Sequence, residues 1–73
     1  MANKKQTAYL AEVGNTIRKE RVKAGISQGQ LAFEIKTSLR QVQRIEAGEI
    51  NTGLLSLYKI AETLEIDIKK LLP

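Results

Sequence analysis

Cysteine, histidine and tryptophan are absent from this 73-residue chain, and proline occurs once, as the last residue. Without Cys there is no disulfide framework and no thiolate metal site. Without His the commonest general base and metal ligand is gone. A catalytic site would have to be assembled from Asp, Glu, Lys, Ser or Tyr, and no pair of these stands out. An enzyme is therefore not expected, nor is a cofactor, a metal or a small-molecule ligand. No stretch approaches the ~20 apolar residues of a membrane span. The N-terminal MANKKQTAYLAEV has two lysines but no long apolar run, so it is not read as a secretory signal. The expectation is a soluble, cytoplasmic protein of a single small domain, residues 1–73. At this size only about 60% of the unfolded chain's surface is buried, so every apolar position counts.

The formal net charge is +4. Residues 1–37 hold seven Lys or Arg against three Glu, while residues 38–73 hold five basic against five acidic residues. A surplus in the first half suits a surface that faces a polyanion, although basic small domains without such a partner are common.

Helical periodicity is present along the whole chain and strand-like alternation is not, so the fold class is all-α. Leu10, Val13 and Ile17 recur at helical spacing with Val22 near the end of the same face, and Arg18, Lys19, Arg21 and Lys23 crowd the last turns. Gly25 fits the left-handed position after a helix, followed by apolar Ile26. Helix 1 is thus predicted at about 7–24, with residues 1–6 frayed. Ser27 with Gln30 forms a capping box that opens helix 2, whose short stripe is Leu31, Ala32 and Ile35. Lys36 and Thr37 form a turn. Ser38 with Gln41 repeats the box and opens helix 3, which Gly48 ends. The loop EINTG leads to helix 4, with Leu54, Leu57, Ile60, Ala61 and Leu64, and Asp67 caps a short final helix carrying Ile68, Leu71 and Leu72. Phe33 lies off the helix 2 stripe and is expected to be partly buried. Tyr9 and Tyr58 are expected at the domain edge or a subunit contact.

Two short helices with starts eleven residues apart, the second bearing a cationic outward face, have the form of a helix-turn-helix that enters a DNA major groove. On a wheel of helix 3, Val42 and Ile45 point to the core, and Arg40, Gln43, Arg44 and Ala47 point away, flanked by Leu39 and Gln41. Lys36 precedes Arg40 by four and Gly48 follows Arg44 by four, so neither arginine gains an intrahelical acid. A guanidinium forks onto guanine O6 and N7 or onto phosphate, a glutamine amide matches adenine N6 and N7, and Leu39 can meet a thymine methyl. Leu39, Arg40, Gln43 and Arg44 are the candidate base contacts. Gln28, beside the free N–H groups that open helix 2, is a candidate phosphate contact. Ser27, Gln41, Lys36 and Lys19 are grouped with it. Each of these also has the plainer reading of a solvated surface side chain.

The run from Ile17 to Leu64, IRKERVKAGISQGQLAFEIKTSLRQVQRIEAGEINTGLLSLYKIAETL, closely resembles the lambda-repressor-like helix-turn-helix domains of phage repressors, Cro proteins and many bacterial regulators. GISQGQLA, RIEAG and LYKIAETLEI are the most specific pieces. The resemblance implies a compact five-helix bundle with helix 3 in the major groove. It places Leu39, Arg40 and Arg44 on the bases with Gln43 nearby, Gln28 on a phosphate, and Arg21 with Glu46 as a structural ion pair tying helix 1 to the end of helix 3. Three positions depart from the family pattern. Lys36 stands where the turn often has Gly, Gly53 stands near the start of helix 4 without the usual preceding proline, and Glu65 replaces the glycine that usually ends helix 4.

The resulting expectation is a sequence-specific transcriptional regulator of double-stranded DNA that binds a near-palindromic operator as a homodimer. Leu54, Leu55, Tyr58, Ile66, Ile68 and Leu72 exceed the needs of one small core and are expected to supply the dimer contact through helices 4 and 5. No cleavable or ligand-sensing second domain is expected. Two alternatives are an antitoxin-like module whose main partner is a toxin, and a controller protein of a restriction–modification system.

Overall fold

Asn3 opens the first helix. In the computed structural model, which describes residues 3–73, its side chain accepts from the Gln6 N–H at 2.9 Å and its own N–H donates to Gln6 Oε1 at 3.1 Å. That reciprocal box starts helix α1 at Lys4–Lys23, earlier than residue 7. Residues 4–6 are therefore helical and not frayed; the expectation for residues 1 and 2 lies outside the described residues. Helix α2 spans Gln28–Glu34, α3 Leu39–Glu46 and α4 Leu54–Leu64. The fifth element, Ile68–Leu71, is one 3-10 turn, so among the described residues the predicted five-helix bundle is four α-helices and a terminal turn. Asp67 caps it as expected, accepting from the Lys69 N–H at 2.9 Å. No strand occurs among the described residues.

All four helices stop in the same way. After each, one residue turns left-handed and two N–H groups bond back to carbonyls of the last turn. Gly25 (φ 76°) and Gly48 (φ 73°) serve α1 and α3, while Lys36 (φ 59°) and Glu65 (φ 56°) serve α2 and α4. The Gly48 N–H donates to the Ile45 carbonyl at 3.1 Å and the Glu49 N–H to the Arg44 carbonyl at 3.0 Å. At Lys36 and Glu65, two of the three positions that depart from the family pattern, the left-handed turn is thus made by a residue that carries a side chain, at some strain.

The core gathers Ile17, Leu31, Ala32, Ile35, Val42, Ile45, Leu57, Ile60, Ala61, Leu64 and Leu71. The terminal turn packs on α4 and α1 and buries Leu71 completely. Two apolar expectations fail. Val22 is 60% exposed, because five residues past Ile17 is a rotation of about 140° on a helix, and Arg21, four past it, takes the core-facing position. Phe33 is 80% exposed, since the stripe of Leu31, Ala32 and Ile35 already fills the inner face of α2.

Gly14 is buried where α1 crosses the end of α3. A Cβ there would stand 2.4 Å from the Ile45 carbonyl oxygen and 2.6 Å from that of Glu46. At Gly48 a Cβ would lie 2.7 Å from Ala11 Cα. The two helices meet backbone to backbone, and this close approach positions α3.

Candidate nucleic-acid interface

Ser27 and Ser38 fix where α2 and α3 begin. Ser27 Oγ accepts from the Gln30 N–H at 3.0 Å, and the Ser27 N–H donates to Gln30 Oε1 at 2.7 Å, the full capping box expected. Ser38 Oγ accepts from the Gln41 N–H at 3.1 Å, but no return bond from the Gln41 side chain forms. Half-buried Gln41 instead lines a small cleft with Thr37, Asn51 and Thr52, so the second predicted box is one-sided.

Helix α3 presents two faces. Val42, Ile45 and Glu46 are buried, and Leu39, Arg40, Gln43, Arg44 and Ala47 are exposed. The four candidate base contacts therefore share one open face. Arg40 has no acidic partner within ion-pair distance among the described residues. Arg44 does have one. Its Nε lies 3.7 Å from Glu49 Oε1, in the loop beyond the helix. The expectation of no intrahelical acid holds; this partner comes from just past the helix, because the left-handed turn at Gly48 folds residue 49 back over residue 44. The signal was legible in principle: in a helix stop of this kind, the residue after the left-handed one packs on the residue four before the left-handed one.

Behind this face lies the predicted Arg21–Glu46 pair. Arg21 Nε donates to Glu46 Oε2 at 2.6 Å and Nη2 to Glu46 Oε1 at 3.1 Å, a two-pronged bond between side chains 10% and 3% exposed. Arg21 Nη1 donates to the Ile26 carbonyl at 2.9 Å. Gln28 joins the same carboxylate, its Nε2 donating to Glu46 Oε1 at 3.0 Å. Sequence reasoning missed this bond, which adds the start of α2 to the strut between α1 and α3. It also orients the amide. With the carboxylate facing it, Gln28 must turn its –NH₂ inward, and one N–H remains for an outside acceptor. Among the predicted phosphate contacts, Ser27, Lys19 and Lys36 are exposed and Gln28 is half-buried. Lys23, on the last turn of α1, has Glu20 within 3.6 Å. No cluster of three or more metal-ligating side chains occurs among the described residues.

Two short helices joined by a tight turn, braced from behind by an internal ion pair, define the class: a helix-turn-helix module that presents its second helix. A helix-turn-helix family model matches residues 17–71, and the chain belongs to this family, of the lambda-repressor-like (Cro and phage repressor) type. Among solved structures, it is similar to the restriction–modification controller protein C.AhdI from Aeromonas hydrophila, at 32% identity and a TM-score of 0.85, over 89% of this chain and 94% of that one. It is similar to the hypothetical transcription factor NHTF from Neisseria at 26% identity and a TM-score of 0.84, over 93% of this chain and 78% of that one. An HTH_3-family transcriptional regulator from Vibrio cholerae shares the fold at 24% identity and a TM-score of 0.82, over 90% of this chain but 37% of its own length. No curated protein matches the sequence significantly.

Proposed function

We propose that the protein is a sequence-specific transcription regulator of double-stranded DNA that binds a near-palindromic operator as a homodimer, with α3 in the major groove. The observation that carries this is the open face of α3, where Leu39, Arg40, Gln43 and Arg44 stand together over the buried Arg21–Glu46 strut. The strut fixes the helix, so the side chains can be spent on base edges, which specify sequence, while Gln28, Ser27, Gln41, Lys36 and Lys19 hold backbone phosphates.

The dimer rests on a second surface. Leu54, Leu55, Tyr58 and Leu72 are exposed, with Leu55 at 67%. Tyr58 lines a shallow groove with Ile66 and Ile68, which also pack partly on the core. Joining two copies through α4 and the terminal turn would set two recognition helices about 34 Å apart, one turn of duplex. The protein would operate in the cytoplasm of a bacterium; none of the described helices is long and apolar enough to cross a membrane. The similarity to C.AhdI, over 94% of that protein, favours one biological setting, the controller of a restriction–modification system. That reading keeps the same DNA-binding face and differs only in the genes regulated.

Selection from a random duplex library should enrich one two-fold-related motif. Arg40→Ala with Arg44→Ala should then abolish the preference for that motif while leaving helicity and melting nearly unchanged. Undiminished preference in the double variant would refute the assignment of the face.

A further inference from the structure

We infer that Glu49 is a specificity-determining residue that holds Arg44 ready for bidentate contact and opposes its capture by stray phosphates. The inference rests on the DNA-binding reading above. Arg44 and Glu49 pair through the guanidinium Nε, at 3.7 Å from Glu49 Oε1. A guanidinium carries five N–H donors in a planar fork, and an acid drawn to the Nε side, here at ion-pair and not hydrogen-bond distance, favours turning the edge with the two terminal nitrogens outward. That edge matches the O6 and N7 acceptors of guanine. The pairing is built into the backbone. Gly48 at φ 73° reverses the chain, and the Glu49 N–H donates to the Arg44 carbonyl at 3.0 Å, so the acid stands over the arginine it serves. In helix stops of this type an apolar pair frequently occupies these two positions, and here a charge pair does.

A carboxylate on the rim of a DNA-facing surface has a second effect. It repels every phosphate alike, whatever the sequence, and so weakens binding to wrong sites. At the right site the repulsion is offset by the better-placed fork. Glu49 thus lowers non-specific affinity more than specific affinity. Arg40, which has no such partner, serves as the internal comparison.

The test uses the full chain, the duplex enriched by selection and a scrambled duplex of the same composition, with binding followed by fluorescence anisotropy at fixed salt. Glu49→Gln should tighten binding to the scrambled duplex and reduce the ratio of specific to non-specific affinity by about two- to five-fold, the range of an exposed ion pair. In an Arg44→Ala background the same substitution should leave the ratio unchanged. Equal tightening on both duplexes, or the same loss of ratio in the Arg44→Ala background, would overturn the role of Glu49 while leaving the DNA-binding reading intact. Failure of the unmodified protein to enrich any motif would overturn the reading itself and this inference with it. A DNA-free readout is the Arg44 Nε–H resonance, which should move in Glu49→Gln; an unmoved signal would also refute the pairing.

Discussion

The buried Arg21–Glu46 pair should be strongly coupled in stability, and its worth should be visible only as a cycle. Replacing Arg21 by Met leaves the Glu46 carboxylate, 3% exposed, with Gln28 as its sole side-chain donor. Replacing Glu46 by Leu leaves the guanidinium with only the Ile26 carbonyl. Either change strands a buried charge, at a cost of about 3–5 kcal/mol. The whole chain is expected to be stable by about 4–11 kcal/mol at typical per-residue values, so each single variant should lose a large fraction of the total and, at the low end of that range, sit near the edge of unfolding. For a domain of this length the loss corresponds to a fall in Tm of roughly 12–40 °C. The double variant removes both charges and fills the space with apolar groups. Its residual loss is the donor to the Ile26 carbonyl and the inner partner of Gln28, both half-buried and able to reach water, so it should lie within about 2 kcal/mol of the parent. Urea and thermal unfolding followed by circular dichroism give the four corners of the cycle. Additive losses, with the double variant as damaged as the sum of the singles, would refute the assignment of a coupled buried pair.

Gly14→Ala should destabilise by about 1–3 kcal/mol although Ala is the better helix former by ~1 kcal/mol, because the new Cβ meets the Ile45 and Glu46 carbonyl oxygens and backbone cannot swing aside; a raised Tm would contradict the close approach. Lys36→Gly and Glu65→Gly should each stabilise by about 0.5–1 kcal/mol, since the relief of a left-handed side chain exceeds the extra freedom glycine gives the unfolded chain. Loss of stability in both would show that those turns are not strained. Leu55→Lys should shift sedimentation from dimer to monomer with little effect on helicity, and an unchanged dimer would place the subunit contact elsewhere.

Much of the fold was legible because it rests on local signals. The Ser27 box, the glycines after α1 and α3 and the stripe of α4 each act within one or two turns of chain. Errors arose where apolar spacing was followed too literally. The core-facing stripe of α1 runs through Gly14, Ile17 and Arg21, and an apolar reading passes over the glycine and the arginine and selects Val22 in their place. The Asn3–Gln6 box carries the same signature as Ser27–Gln30, but a start among polar residues with no apolar stripe nearby gave it no weight.

What the sequence determined by itself was the succession of helices, their stops and the outward face of α3, because hydrogen-bonded caps and helical periodicity are properties of neighbouring residues. The partners of the charged side chains were decided by tertiary structure. Gln28 and Glu46 are eighteen residues apart and meet only because α2 and the end of α3 are packed together. Glu49, by contrast, reaches Arg44 through the local reversal at Gly48, so that pair lay within reach of the sequence. A charge on a helical wheel has a direction but no distance to its partner, and that distance decides whether it reads a base, braces a helix or holds another side chain in place.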